Sequence, residues 1–116
     1  MKELKSVFSR EELAENAVKL LKKLIATPSM SRDEYNASLI IEGFFNEHQL
    51  TVNRFKNNIW ATNKHFDAGK PSILLNTHHD TVKPNKAYTL DPFIPVEKDG
   101  KLFGLGSNDA GASLVA

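Results

Sequence analysis

Residues 72–82 read Ser-Ile-Leu-Leu-Asn-Thr-His-His-Asp-Thr-Val. Ser72 to Thr77 is a short apolar run bounded by turn signals, the pattern of a strand buried on both faces of an α/β sheet. Its carboxyl end delivers His78, His79 and Asp80. Open α/β sheets hold their ligands beyond the carboxyl ends of the strands, so the most reactive side chains fall where such folds do chemistry. The expected fold class is α/β, with two helices leading into a mixed sheet.

Upstream, Ser9 and Glu12 form a capping-box pair, and Leu13, Ala17, Leu20, Leu21, Leu24 and Ile25 then recur at helical spacing. One amphipathic helix is predicted from about Arg10 to Ala26, ended by Pro28, whose ring has no N–H to donate. Ser31 and Glu34 repeat the capping-box pattern, so a second helix is predicted to start near Arg32. It carries Ala37, Ile40, Ile41, Phe44 and Phe45 on one stripe to about Gln49. Thr51 to Phe55 and Ile59 to Thr62, separated by the turn-prone Asn57 and Asn58, read as a strand pair, with Trp60 available to pack on a helix.

Downstream, Pro92 to Glu97 and Lys101 to Leu105 flank Asp99-Gly100, a strong hairpin signal. Gly104 to Ala116 is glycine-rich and then turns helical, and the helical signal of GASLVA is cut at Ala116, as expected of a piece of a longer chain. No repeat, low-complexity tract or linker interrupts the sequence.

Composition narrows the function. Fifteen Lys and Arg stand against fourteen Asp and Glu, a formal net charge of +1 without basic clustering, which argues against a nucleic-acid partner. No apolar run approaches bilayer length, so no membrane partner is expected. With no cysteine, only His, Asp and Glu remain as metal ligands. The amino terminus lacks the apolar core of a secretory signal, and a cytoplasmic location is the expectation.

Two motifs carry candidate chemistry. In Thr77-His78-His79-Asp80-Thr81-Val82, strand alternation puts His78 and Asp80 on one face and His79 on the other. A ligating imidazole works best when a carboxylate ties its other ring nitrogen, so the pair suits ligand and orienter. The plainer alternative makes Asp80 a loop cap and a histidine a hydrogen-bonded sheet-edge residue, which is the role left to His79. In Gly104-Leu105-Gly106-Ser107-Asn108-Asp109, Asp109 suits either a metal-bridging carboxylate or a helix N-cap. A phosphate cradle is excluded, because Asp109 places a negative charge where the third glycine of such a motif would stand.

Taken together with Asp91-Pro92-Phe93, these motifs resemble the zinc-dependent exopeptidase and deacylase family of acetylornithine deacetylase, succinyl-diaminopimelate desuccinylase, carboxypeptidase G and aminoacylase. Like its members, the chain has Pro28-Ser29 before a Glu34-containing helix, then H-x-D-T-V, D-P-F and G-x-G-x-x-D in order. The resemblance implies that residues 1–116 are the amino-terminal portion of a zinc-exopeptidase-like catalytic domain. It also implies that the rest of that domain and an inserted dimerisation domain lie elsewhere, in a full-length protein expected as a homodimer.

The same resemblance implies two zinc ions, with cobalt or manganese as competitors. His78 becomes a terminal ligand of one metal, Asp80 the catalytic acidic residue that orients His78, and Asp109 the bridging carboxylate. The glutamate base and remaining ligands would lie beyond Asp109, so this chain alone is expected to be inactive. The substrate implied is a small N-acyl amino acid, acetylornithine or acylcitrulline, or a short peptide. One departure stands out: the family continues after the bridging aspartate with lysine and paired glycines, where this chain has Ala110, Gly111, Ala112 and Ser113. Rival readings are a dipeptidase or carboxypeptidase on the same scaffold, a non-catalytic α/β binding module, and an unrelated domain with structural histidines. The last requires His78 and Asp109 to lie far apart.

Overall fold

The computed structural model describes residues 8–116; residues 1–7, on which part of the no-leader expectation rests, lie outside the described residues. Helix α1 spans Arg10–Ile25. Its capping box forms as the sequence predicts, with the Glu12 N–H donating to Ser9 Oγ at 3.1 Å and the Ser9 N–H to Glu12 Oε2 at 2.7 Å. Leu20, Leu21 and Ile25 are buried, whereas Leu13 is 53% exposed, so the stripe predicted along the whole helix reaches the core only in its last turns.

Helix α2 spans Tyr35–Glu47, three residues later than the reading from Arg32. Its capping box does not form, because both residues are engaged elsewhere. The Ser31 hydroxyl donates to Asp80, and Glu34 accepts from the Arg32 N–H and from the Asn57 amide, while Arg32 adopts a left-handed φ of 75°. The helix ends at Glu47, two residues before the predicted end near Gln49, which itself turns left-handed with φ 57°.

Strands β1 (Val52–Phe55) and β2 (Asn58–Ala61) pair antiparallel, Val52 opposite Ala61 and Phe55 opposite Asn58. The turn is Lys56-Asn57, one residue earlier than predicted, and Lys56 takes φ 55°. The ribbon lies against α2, with Ile59 and Ala61 half-buried. Trp60, expected to pack on a helix, is instead 48% exposed, because alternation places it on the other face. Arg54 ties β1 to α2 by donating to the Glu42 carboxylate and to the fully buried Ser38 hydroxyl, the latter at 2.9 Å.

Strands β3 (Val96–Lys98) and β4 (Lys101–Phe103) form the hairpin read from Asp99-Gly100. Both turn residues have positive φ, 52° and 71°, as a two-residue turn matched to strand twist requires. A wide helical turn over Ser107–Ala112, broken at Asp109 and Ala110, leads into the short helix α3, Ser113–Val115. The Asp109–Ala110 peptide is cis.

The α/β class holds, but the sheet differs from the mixed one predicted. It consists of two separate antiparallel ribbons, and the only parallel pairing among the described residues is the isolated bridge between Met30 and Thr81. Ser72 to Thr77 is not a strand: Ile73, Leu74 and Leu75 are 83–91% exposed, and no described segment runs beside them. A strand exists only through its ladder partners, so its apolar sequence cannot create one by itself. No helix among the described residues is long and apolar enough to cross a membrane.

Two glycines test this packing in opposite directions. A Cβ on Gly111 would lie 2.5 Å from both the Gly106 carbonyl oxygen and a Leu21 methyl, whereas one on Gly43 in α2 meets nothing within 4 Å. In urea unfolding, Gly111→Ala is expected to destabilise by about 1–3 kcal/mol. Gly43→Ala is expected to stabilise by about 0.5–1 kcal/mol, through lower chain entropy in the unfolded state.

Candidate functional site

The segment that bears His78 is held by the loop after α1. Thr81 N–H donates to the Ser29 carbonyl at 2.7 Å, and Ser31 N–H donates to the Thr81 carbonyl at 3.3 Å. Ser29 is buried, and its hydroxyl donates to the His79 carbonyl at 2.8 Å. Residues 29–31 and 79–81 therefore run locked together, in a register that decides which side chains face outward.

In that register the two histidines diverge. His79 turns inward, where its Nε2 lies 2.9 Å from the Asn57 carbonyl and its Nδ1 is buried without a partner. This is the hydrogen-bonded structural role its position suggested. His78 faces out, with about half its side chain exposed and its Nδ1 3.1 Å from both Asp80 Oδ1 and the Asp80 carbonyl oxygen.

Asp109 reaches His78 from the glycine segment. The Asp91 side chain accepts from the Phe93 N–H at 2.9 Å, closing a turn that offers the Pro92 carbonyl to Leu105 N–H at 2.7 Å. Gly106 then takes φ 73°, and a Cβ there would meet the Thr81 methyl at 2.6 Å, so only glycine can pass so close to Thr81. The Gly111 N–H closes the turn on the Gly106 carbonyl at 2.9 Å. Asp109 Oδ1 thereby stands 3.1 Å from His78 Nε2. Its backbone, φ −116° and ψ 98°, is not helical, and it caps no helix.

The three residues singled out by sequence, His78, Asp80 and Asp109, are thus brought into one row, with the imidazole between two carboxylates. The reading that required His78 and Asp109 to lie far apart fails on this distance. Sequence reasoning missed Ser29, Ser31 and Asn57, which hold the row in place. They are small polar residues some 20 to 50 positions from their partners, and nothing in a local pattern marks such a pairing.

Electrostatics follow from the geometry. Desolvation pulls the His78 imidazole down, but the Asp80 carbonyl and the Asp109 carboxylate outweigh it and hold it above its ordinary pKa. Asp80 is held below the usual carboxylate range, first by the Ser31 hydroxyl and then, against desolvation, by the charge of His78. Behind the row, Leu21, Ile25, Ser29 and Thr81 line a cavity of about 20 Å³, room for a water molecule but not for a substrate. Among the described residues, no group of three or more His, Cys, Asp or Glu side chains is arranged to hold a metal ion.

No family model matches the chain. Succinyl-diaminopimelate desuccinylase of Xylella fastidiosa is 36% identical over 101 residues, 80% of this chain and 26% of that protein. Acetylornithine deacetylases of Salmonella paratyphi B and Salmonella newport are each 37% identical over 107 residues, 79% of this chain and 27% of theirs. This chain belongs to the family of these deacylases. It spans about a quarter of the length of the curated relatives it matches.

The row should register in titrations. His78 is expected to titrate above its ordinary value by NMR, and Asp109→Asn to bring it down, because the protonated imidazole loses a charged partner. A raised folded-state pKa stabilises the fold fully below the unfolded-state value, and that contribution fades as pH rises through the folded one. For Asp80, whose pKa is depressed, the contribution is present above the unfolded-state value and fades as pH falls through the folded one. Urea midpoints across pH, with His78→Ala and Asp80→Asn as references, check both signs.

Proposed function

We propose that this chain is one part of a metal-dependent hydrolase that cleaves the amide bond of N-acylated amino acids, of the acetylornithine deacetylase type and cytoplasmic. The observation that carries the reading is the placement of His78 Nε2 3.1 Å from Asp109 Oδ1, with the opposite ring nitrogen on Asp80. The names of the relatives, a deacetylase and a desuccinylase, supply the reaction class.

The donors fit a zinc site. An imidazole and a carboxylate converge on one point, and a second carboxylate stands behind the imidazole where an orienting partner belongs. His78 would be a terminal ligand and Asp109 a bridging one, with cobalt and manganese as competitors for the same nitrogen and oxygen donors. A pair of such ions, when bound, would polarise the scissile carbonyl and bring the pKa of water to about neutrality.

The residues of this chain prepare for that chemistry. With the imidazole neutral, Asp80 would keep its proton on Nδ1 and so present the lone pair of Nε2 outward. Asp109, its side chain 88% exposed, offers its carboxylate to the same opening. Two ligands fall short of the three that a catalytic zinc normally takes from protein, so the chain alone should bind weakly and hydrolyse nothing.

The test is hydrolysis of N-acetylornithine, N-acetylcitrulline and a dipeptide panel, with and without zinc, by this chain and by a full-length protein that contains it. The chain alone is expected to be inactive. The full-length protein is expected to show zinc-dependent cleavage of the acylated amino acids that His78→Ala and Asp109→Ala each abolish. Metal-independent cleavage, or none across the panel, would sink the proposal in favour of a non-catalytic binding module.

A further inference from the structure

We propose that Ser31 is a positioning residue of this site: its hydroxyl pins the Asp80 carboxylate so that the opposite oxygen stays on His78 Nδ1. The inference rests on the hydrolase reading above and adds a residue that the metal-ligand motifs do not contain.

The geometry is a relay of single contacts. Ser31 Oγ donates to Asp80 Oδ2, Asp80 Oδ1 lies 3.1 Å from His78 Nδ1, and His78 Nε2 lies 3.1 Å from Asp109 Oδ1. The terminal torsion of an aspartate is broad, so one hydrogen bond does not fix the plane of its carboxylate. Asp80 is only partly buried, and packing does not fix it either. Two bonds, one on each oxygen, do.

Ser31 is itself placed for this task. Its N–H is bonded to the Thr81 carbonyl, and the Met30–Thr81 bridge precedes it, so its backbone is registered against the residue next to Asp80. The left-handed Arg32 then turns the chain away, and helix α2 begins without Ser31 as its cap. A serine with capping-box spacing has thus given up the helix terminus for the carboxylate. Its side chain is exposed, and Ser31→Ala leaves the backbone bonds intact, so the substitution should not unfold the chain.

The competing arrangement is also visible. His78 Nδ1 lies 3.1 Å from the Asp80 carbonyl oxygen, which could hold the tautomer without any help from the carboxylate. The two possibilities separate in the full chain carrying Asp109→Ala, where Nε2 has lost its own carboxylate. At a pH where the imidazole is neutral, ¹⁵N NMR reads the fraction of His78 with its proton on Nδ1. That fraction is expected to fall in Ser31→Ala and to recover in Ser31→Thr, which restores the hydroxyl.

In a full-length protein that contains the chain, with Asp109 intact, cobalt titration followed by its visible absorption is expected to weaken about 10-fold in Ser31→Ala, the lower end for loss of an outer partner of a metal ligand, and to recover in Ser31→Thr. An unchanged tautomer fraction together with unchanged cobalt affinity would overturn the role of Ser31. If a full-length protein that contains the chain shows no cobalt binding that depends on His78 and Asp109, the metal-site reading fails instead. The tautomer comparison, which needs no metal, still decides for or against Ser31.

Discussion

Thr81 is the residue on which both halves of the site depend. Its N–H and C=O are bonded on either side to Ser29 and Ser31, which fixes where the chain emerges at His78 and Asp80. Its methyl group also lies against Gly106, at a distance no Cβ could tolerate, which fixes how closely the segment bearing Asp109 can approach. One side chain and one peptide unit therefore set the separation between an imidazole and a carboxylate 31 residues apart in sequence. Loops of that length cost only slowly increasing entropy to close, but the closed geometry must be specified by contacts at the closure point, and here Thr81 supplies them.

The supporting elements transmit that constraint inward. Helix α1 offers Leu21 and Ile25 as the wall against which Gly104 and Gly111 pack, each closer than a side chain would allow. This gives the glycine spacing a packing reason that is independent of any ligand. It also explains how the chain keeps the turn while departing from the lysine and paired glycines usual after the aspartate. Gly111, in direct contact with the Gly106 carbonyl and Leu21, occupies the crowded position, whereas the exposed Ala112 and Ser113 do not. The Asp91-Pro92-Phe93 motif likewise proves structural, an aspartate-closed turn whose proline carbonyl receives Leu105.

Much of this was legible in sequence wherever the determinant is local. The Ser9–Glu12 capping box, the Asp99-Gly100 turn and helix α1 follow from spacings of four residues or fewer and form as read, and α2 forms with a later start. The three residues that the family resemblance placed in one site also came together. Local reading failed where a distant partner competed. Ser31 and Glu34 have capping-box spacing, yet Asp80 and Asn57 claim their side chains. Ser72 to Thr77 has the composition of a buried strand, but a ladder is a property of two segments, and composition describes only one. Trp60 was misjudged for a smaller reason: alternation sends it to the face of the ribbon away from α2, and a strand pattern alone does not say which face meets the helix.

The charge pattern of the row ties its protonation to its proposed occupant. An imidazole flanked by two carboxylates at 3.1 Å attracts positive charge, and in the chain by itself a proton meets that demand, which is why His78 sits above its ordinary pKa. The two nitrogens are not equivalent in this respect. A proton on Nδ1 is held by Asp80, whose carboxylate Ser31 anchors, whereas a proton on Nε2 is shared only with Asp109, an exposed side chain. The Nε2 proton is therefore the one a divalent cation would replace, leaving the Nδ1 hydrogen bond in place and gaining a carboxylate ligand in the same step. Such an exchange would release a proton, so any cation affinity of this pair would depend on the protonation of His78.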